Sequence, residues 1–338
     1  MYATGIGSLP GPDMPGALRH VLGSFEQAWL PELPGRGVGA DMVGRTLAMT
    51  EGLGFDLQPQ GWRLLERSGV DHARARGLLR RDLDELEEAA QGFTGTLTLT
   101  MAGPWTLAAL VERSRGDKVL ADHGARRELA ESLAAGASAL LAEMGRRLPE
   151  VRWRVRLDEP LLPAVVSGGV ATASGFSRLR AVDRPQASAL LSVLSEALAE
   201  QVVRVGVHCC APGLDLDLLA RSGIAQAALD VGTLGLRDLD AVASWLEAGH
   251  ELLIGLAPTQ RPDVVSTPDE IVRRGLDLLR PLALDPDLLQ RSLAVSTGCG
   301  LAGWTLRPAM RQLDALLEAV PLLAEQLARQ GRRVGGRG

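Results

Sequence analysis

The chain has 338 residues, 46% of them hydrophobic and 23% charged, so it can bury the core of a large globular domain. Its formal charge of -5 and its lack of lysine or arginine clusters argue against nucleic acid as a partner. No apolar run reaches the roughly 20 residues that cross a bilayer, and no basic segment followed by an apolar one stands at the N-terminus. We therefore expect a cytoplasmic protein that does not enter membranes.

Short apolar runs alternate with longer segments of helical spacing, which is typical of βα units that build a parallel sheet. We predict eight strands, at residues 2–8, 27–33, 96–103, 152–159, 202–209, 225–230, 251–257 and 292–299. In the longer segments leucine and alanine recur every three or four residues, as a helix with one buried face requires. The clearest predicted helices are 125–148, 186–201, 236–249 and 308–330.

Eight strands with intervening helices predict an α/β fold, a single (β/α)₈ TIM barrel over residues 1–330. The segment 34–95 is rich in glycine and arginine and shows no clear strand, so we expect an elaborated helical excursion between strands 2 and 3. The tail 331–338 is predicted to be disordered. The sequence shows no internal repeat and no interdomain linker.

Polar residues stand where the predicted strands end, and in a TIM barrel these ends meet at one mouth. They are Ser8, Glu32, Asp158, His208, Cys210, Asp230, Gln260 and Cys299. This placement predicts an active site at the mouth. The remaining histidines have no partner motif and are expected at the surface: His20, His72, His123 and His250.

His208 and Cys210 are two residues apart, so in an extended chain their side chains point to the same side and Cys209 points to the other. The third cysteine, Cys299, stands in a Gly-Cys-Gly turn after the last predicted strand. Zinc favours thiolate and imidazole ligands and takes about four of them in a tetrahedron. The sequence therefore predicts a zinc site, with Asp230 as the best candidate for the fourth ligand.

Each of these residues also has a purely structural interpretation. A free cysteine is often buried in a core. Asp158, which precedes Glu-Pro, could form a turn, and Ser8 could cap the following helix. A disulfide is not expected, because the cytoplasm is reducing.

Five short motifs occur in a fixed order between residue 4 and about residue 304: TGIGSLPG, TMAGPWTL, RLDEPLL, VHCC and VSTGCGL. Their order and content resemble the C-terminal catalytic barrel of cobalamin-independent methionine synthase, in the superfamily that also holds uroporphyrinogen decarboxylase. The resemblance covers most of the barrel. It implies a zinc-dependent methyltransferase that moves a methyl group to the thiol of homocysteine and forms methionine.

The resemblance also implies roles for individual residues. Zinc would bind His208, Cys210 and Cys299, with Asp230 standing where the family has a glutamate. Asp158 would hold the amino group of homocysteine and is the predicted catalytic residue; Glu32 would assist it. The turn that would hold the substrate carboxylate consists of Ile6, Gly7 and Ser8.

Two departures from the family concern the methyl donor. Full-length members have two barrels, whereas this chain has the equivalent of one. Gln260 stands where the family has a histidine that delivers a proton to folate, and glutamine cannot act as an acid near neutral pH. A methyl group on corrinoid cobalt needs no such proton. We therefore expect a methylcorrinoid or a corrinoid protein as donor, with 5-methyltetrahydrofolate as the alternative.

Three other functions stay open at this stage. The first is a zinc-dependent methyltransferase for another small thiol such as coenzyme M, against which the amino-acid clamp at Asp158 argues. The second is a decarboxylase similar to the uroporphyrinogen enzymes, which would have no use for the cysteine motifs. The third is a zinc-stabilised binding scaffold, which predicts a closed site with four ligands.

Overall fold

The computed structural model describes the backbone of residues 1–335 and the side chains of residues 1–329. Eight parallel strands form a nearly closed (β/α)₈ barrel, which confirms the predicted fold class. In chain order they are β1 (Tyr2–Ala3), β2 (Gln27–Trp29), β5 (Thr96–Ala102), β6 (Arg152–Asp158), β7 (Arg204–Cys209), β8 (Gln226–Asp230), β9 (Glu251–Ala257) and β10 (Leu293–Thr297). Each lies within a predicted strand.

Helices follow the strands and surround the barrel. They are α1 (Met14–Ser24), α2 (Met42–Leu47), α3 (Val70–Ala89), α4 (Pro104–Leu110), α5 (His123–Arg147), α6 (Leu162–Ser167), α7 (Arg184–Leu198), α8 (Leu216–Arg221), α9 (Leu239–Glu247), α10 (Pro268–Leu279), α11 (Pro286–Ser292) and α12 (Leu306–Gly335). The backbone of α12 thus extends into the predicted tail, and residues 336–338 lie outside the described residues.

The barrel closes between β1 and β2, where the sheet order has its two ends. Ser8 and Glu32 form an isolated parallel bridge across this seam. The Glu32 amide donates to Gly7 at 3.2 Å, and the Leu9 amide donates to Glu32 at 2.9 Å. Below the bridge, Thr4 Oγ1 donates to the Gln27 carbonyl at 2.7 Å. The seam therefore lies directly beside two of the predicted site residues.

The excursion between β2 and β5 is not purely helical. Besides α2 and α3 it contains an antiparallel hairpin of β3 (Gly54–Gln58) and β4 (Gly61–Leu65). The expectation of an excursion without strands was therefore wrong. Phe55 and Trp62 are the buried side chains of the hairpin, and they anchor it on the main core.

The side chains inside the barrel differ in polarity along its axis. At the N-terminal ends of the strands, Glu251 accepts hydrogen bonds from Tyr2 Oη at 2.7 Å and Gln226 Nε2 at 3.0 Å, and pairs with Arg154 at 3.2 Å. A small apolar layer of Ile6, Ala228, Leu253 and Ala294 also lies within the ring of strands. The polar cluster around Glu251 fills the N-terminal end of the barrel. The opposite, C-terminal mouth is the end at which active sites of TIM barrels lie.

Within the described residues, no helix is both long enough and apolar enough to cross a lipid bilayer.

Candidate metal centre at the barrel mouth

The mouth brings together three of the predicted metal ligands. His208, Cys210 and Cys299 each offer a ligand atom, and these atoms lie within 4.8 Å of one another. His208 lies near the end of β7 and Cys210 just past it, while Cys299 lies in the turn after β10. The Gly298 amide donates to Ala257 at 2.8 Å and Thr297 Oγ1 donates to the Cys299 carbonyl at 2.7 Å, which fixes that turn.

Asp158 holds the imidazole of His208. The two residues are partners in the parallel register of β6 and β7, so their side chains enter the mouth side by side. His208 Nδ1 lies 2.8 Å from Asp158 Oδ1. Burial disfavours the charged imidazole, but the hydrogen bond and the negative charge of Asp158 outweigh it and raise the pKa of His208. Nε2 of His208 lies 3.4 Å from the Gly298 carbonyl oxygen, and a neutral ring that donates from Nδ1 would offer its Nε2 lone pair to a metal instead.

The two thiols interact directly. Cys299 Sγ donates to Cys210 Sγ across 3.5 Å. This hydrogen bond lowers the pKa of Cys210 and, together with burial, raises that of Cys299. Cys209 is fully buried outside the cluster, and burial raises its pKa to about 12. It points away from the site as the strand alternation predicts.

The donor set fits a tetrahedral divalent cation. Two sulfurs, each about 2.3 Å from one zinc ion at a tetrahedral angle, lie about 3.8 Å apart. The sulfurs of Cys210 and Cys299 are 3.5 Å apart. The two sulfurs would need to move apart by only a few tenths of an ångström to bind one zinc ion. The imidazole is already oriented by a carboxylate, as is usual for metal-bound histidine.

Asp230 lies next to the cluster without being among its mutually close ligand atoms. Its Oδ1 accepts from the Gly232 amide at 2.9 Å, and its Oδ2 accepts from Gln260 Nε2 at 2.6 Å. The carboxylate packs against Gly298, where a Cβ atom would lie 2.7 Å from Asp230 Cγ. Gly298 must therefore be a glycine for the loop of Cys299 to pass this carboxylate.

Glu32 is buried and paired. Its Oε1 accepts from Arg45 Nη1 at 3.1 Å and from Thr100 Oγ1 at 2.6 Å. Burial raises the pKa of Glu32, Arg45 opposes that rise, and the charge of Asp158 adds to it. The second carboxylate oxygen of Glu32 and that of Asp158 accept no hydrogen bond from the described residues, and neither is fully sealed from solvent.

All four carbonyl oxygens in the turn of residues 5–8 accept hydrogen bonds. Arg156 Nη2 donates to Gly5 and Ile6, Trp29 Nε1 and the Glu32 amide donate to Gly7, and the Leu301 amide donates to Ser8. The amides of the same four residues donate to no group among the described residues. Ser8 also lies against the cysteine loop, because a Cβ atom at Gly300 would be 2.0 Å from its Oγ.

Sequence reasoning missed three buried charged residues at this site. Arg45 and Arg156 each place a guanidinium in the barrel, and Glu159 accepts from the Trp105 and Thr106 amides at 2.9 and 2.8 Å. Burial raises the pKa of Glu159 to about 7. Arg156 lies two residues before Asp158, in the buried second half of β6, and Glu159 directly follows the strand.

Comparison with known proteins rests on structure. No protein-family model matches the chain, and no curated protein matches it by sequence. The chain is similar to a B12-independent methionine synthase from Shewanella sp. W3-18-1, at 14% identity and a TM-score of 0.63 over 97% of this chain and 98% of that one. It shares the TIM-barrel fold of that enzyme.

Other barrels match less well. A GH5_18 protein from Bifidobacterium longum subsp. infantis matches at 12% identity, 94% and 78% coverage and a TM-score of 0.48. A D-tagatose 3-epimerase-like protein matches at 11% identity, 77% and 88% coverage and a TM-score of 0.41. The similarity to the methionine synthase shows the TIM-barrel fold alone, so the reaction must be argued from the site.

Proposed function

We propose that this protein is a zinc-dependent methyltransferase that methylates the thiol of homocysteine to form methionine. The observation that carries the proposal is the cluster of His208, Cys210 and Cys299, oriented by Asp158 at the mouth of the barrel. The similarity in fold to a methionine synthase supports it.

The cluster suits thiol activation. Zinc held by these residues would lower the pKa of a coordinated thiol and so would supply a nucleophilic sulfur at neutral pH. His208 and the two cysteines supply three protein ligands, which leaves a position for a substrate. Asp230 is the candidate for a fourth ligand when that position holds no substrate, provided that its hydrogen bond to Gln260 opens.

The surroundings suit an amino acid. The free carboxylate oxygens of Asp158 and Glu32 would accept from the substrate ammonium group. The unpaired amides of Ile6, Gly7 and Ser8 would donate to its carboxylate. Such two-point binding fixes the thiol relative to the cluster and makes its reaction effectively intramolecular. It also favours homocysteine over a thiol without an amino group, such as coenzyme M.

The methyl donor is proposed to be a methylcorrinoid or a corrinoid protein. Gln260 donates to Asp230 at 2.6 Å and has no acidic proton to give to a folate leaving group. A methyl group leaves corrinoid cobalt without protonation. Donation from 5-methyltetrahydrofolate is the alternative, and a cytoplasmic location is proposed with either donor.

The test is growth of a methionine auxotroph that carries this chain, with and without cobalamin. We expect growth on homocysteine only when cobalamin is supplied, and the purified zinc-loaded protein should methylate homocysteine from methylcobalamin. Methylation of homocysteine from 5-methyltetrahydrofolate at the same rate, without a corrinoid, would refute a corrinoid as the methyl donor. No methylation from either donor would refute the function. A decarboxylase similar to the uroporphyrinogen enzymes would keep its activity after zinc removal.

A further inference from the structure

A buried arginine lies behind the turn that would hold the substrate carboxylate. Arg156 is 1% exposed, and its Nη2 donates to the carbonyl oxygens of Gly5, at 2.6 Å, and of Ile6. Its Nε is buried without a hydrogen-bond partner among the described residues. The guanidinium therefore has donor capacity left over beyond the two carbonyls that it holds.

These two hydrogen bonds determine which way the turn presents its amides. In a planar trans peptide the carbonyl of one residue and the N–H of the next point in opposite directions. With the carbonyls of Gly5 and Ile6 directed at one nitrogen atom, the amides of Ile6 and Gly7 must both point away from Arg156. Two successive amides that face the same way form a concave nest that binds anions.

The charge of Arg156 acts in the same direction. A guanidinium stays protonated in proteins, so a full positive charge lies on the carbonyl side of both peptides. It aligns with the peptide dipoles and raises the positive potential on the amide side. Asp158 and Glu32 are close enough to interact with Arg156 electrostatically, so the cation also balances the two carboxylates beside it.

We propose that Arg156 is a positioning residue that makes the turn of residues 5–8 selective for a thiol bearing a carboxylate. It acts through two peptide units by fixing their orientation and by adding charge behind them. The inference rests on the proposed function, because it names the feature of the same substrate that this turn recognises.

The test compares the binding of two thiols by calorimetry to the zinc-loaded protein. Homocysteine carries the carboxylate, and 3-aminopropane-1-thiol is the same molecule without it. Arg156→Gln should raise the dissociation constant of homocysteine by about 10-fold and change that of the aminothiol by less than about 2-fold. Arg154→Gln is the matched control, because Arg154 lies on the same strand but bonds Glu251 at the other end of the barrel.

Arg156→Lys provides a second variant if the glutamine variant does not fold. It retains the charge and loses the planar fork, so we expect a smaller loss of preference for homocysteine. The inference would be overturned if Arg156→Gln and Arg156→Lys both kept the wild-type preference for homocysteine over the aminothiol. It would also be overturned if Arg154→Gln lost this preference to the same extent. Either result would leave the proposed function intact. Failure of the wild-type protein to bind homocysteine would overturn both.

Discussion

Asp158 shows how one residue can serve two neighbours. Its predicted task is to hold the amino group of homocysteine, and the structure adds a hydrogen bond from His208 at 2.8 Å. One carboxylate oxygen orients the imidazole and the other remains available at the mouth. Removing its negative charge would therefore affect metal binding as well as substrate binding.

We predict that Asp158→Asn lowers zinc affinity by about 10- to 100-fold, because the amide orients the imidazole without raising its basicity. Competition with a chromogenic chelator measures the change. Asp183→Asn is the control, since Asp183 caps α7 away from the cluster and asparagine caps equally well. An unchanged zinc affinity in Asp158→Asn would mean that the carboxylate serves the substrate alone.

The sequence indicated the candidate metal ligands more clearly than the residues that surround and orient them. The His-x-Cys spacing and the Gly-Cys-Gly turn each mark a side chain by its own chemistry, and the structure brings them together. Neither Arg45 nor Arg156 stands in a motif that indicates its role. A buried arginine within an apolar pattern makes sense only when its partners are known, and those partners are far away in sequence.

At the scale of elements, the excursion after β2 is held together by a buried histidine. His72 was expected at the surface, and this was wrong, because it is 0% exposed near the start of α3. Its Nε2 lies 2.9 Å from the Leu47 carbonyl at the end of α2, and its ring packs edge-on against Phe55 of β3 at 5.1 Å between ring centroids. One side chain thus joins both helices to the hairpin.

We predict that His72→Gln destabilises the fold at pH 7.5, by about 1–3 kcal/mol, through lost packing and hydrogen bonding. Burial lowers the pKa of His72 in the folded state. As the pH falls below about 6.5, the unfolded chain therefore takes up a proton there before the folded one does, and stability falls. This loss is absent in His72→Gln.

Urea unfolding between pH 7.5 and pH 5 measures both effects. The gap in unfolding free energy between wild type and His72→Gln should narrow as the pH falls. His123→Gln is the matched control, because His123 is exposed at the start of α5. A gap that stays constant would show that His72 does not couple folding of the excursion to pH.

The hairpin of the excursion escaped prediction for a local reason. Pro59 and Gln60 connect β3 and β4, and Gly61 follows them, so the segment resembles a loop. Their apolar side chains pack on α3 and the main core, which the sequence pattern alone does not reveal.

At the scale of the whole molecule, the alternation of strands and helices was sufficient to predict the barrel, because parallel strands buried on both faces read as apolar runs. The seam was harder to predict. β1 has two residues, and the barrel closes through one isolated bridge between Ser8 and Glu32 and through side-chain hydrogen bonds from Thr4 and Trp29. Packing at the seam depends on Gly5, since a Cβ atom there would lie 2.3 Å from Trp29 Cζ2.

Gly5→Ala should therefore lower the free energy of unfolding by about 1–3 kcal/mol or more, because the indole of Trp29 is fully buried and cannot move aside. Thermal or urea unfolding measures the loss. The matched control is Gly23→Ala in α1, where the added methyl meets no atom within 4 Å. That variant should be as stable as wild type or more stable by up to about 1 kcal/mol. Equal behaviour of the two variants would argue that the seam is loosely packed.

The central claim is that His208, Cys210 and Cys299 form one zinc site that serves thiol methylation. Its most direct test is the zinc content of purified protein, measured by mass spectrometry of the metal, in the wild type and three cysteine variants. Wild type and Cys209→Ala should hold about one zinc ion per chain, and Cys210→Ala and Cys299→Ala should lose it together with homocysteine binding. Full zinc content in Cys210→Ala or Cys299→Ala would contradict the account.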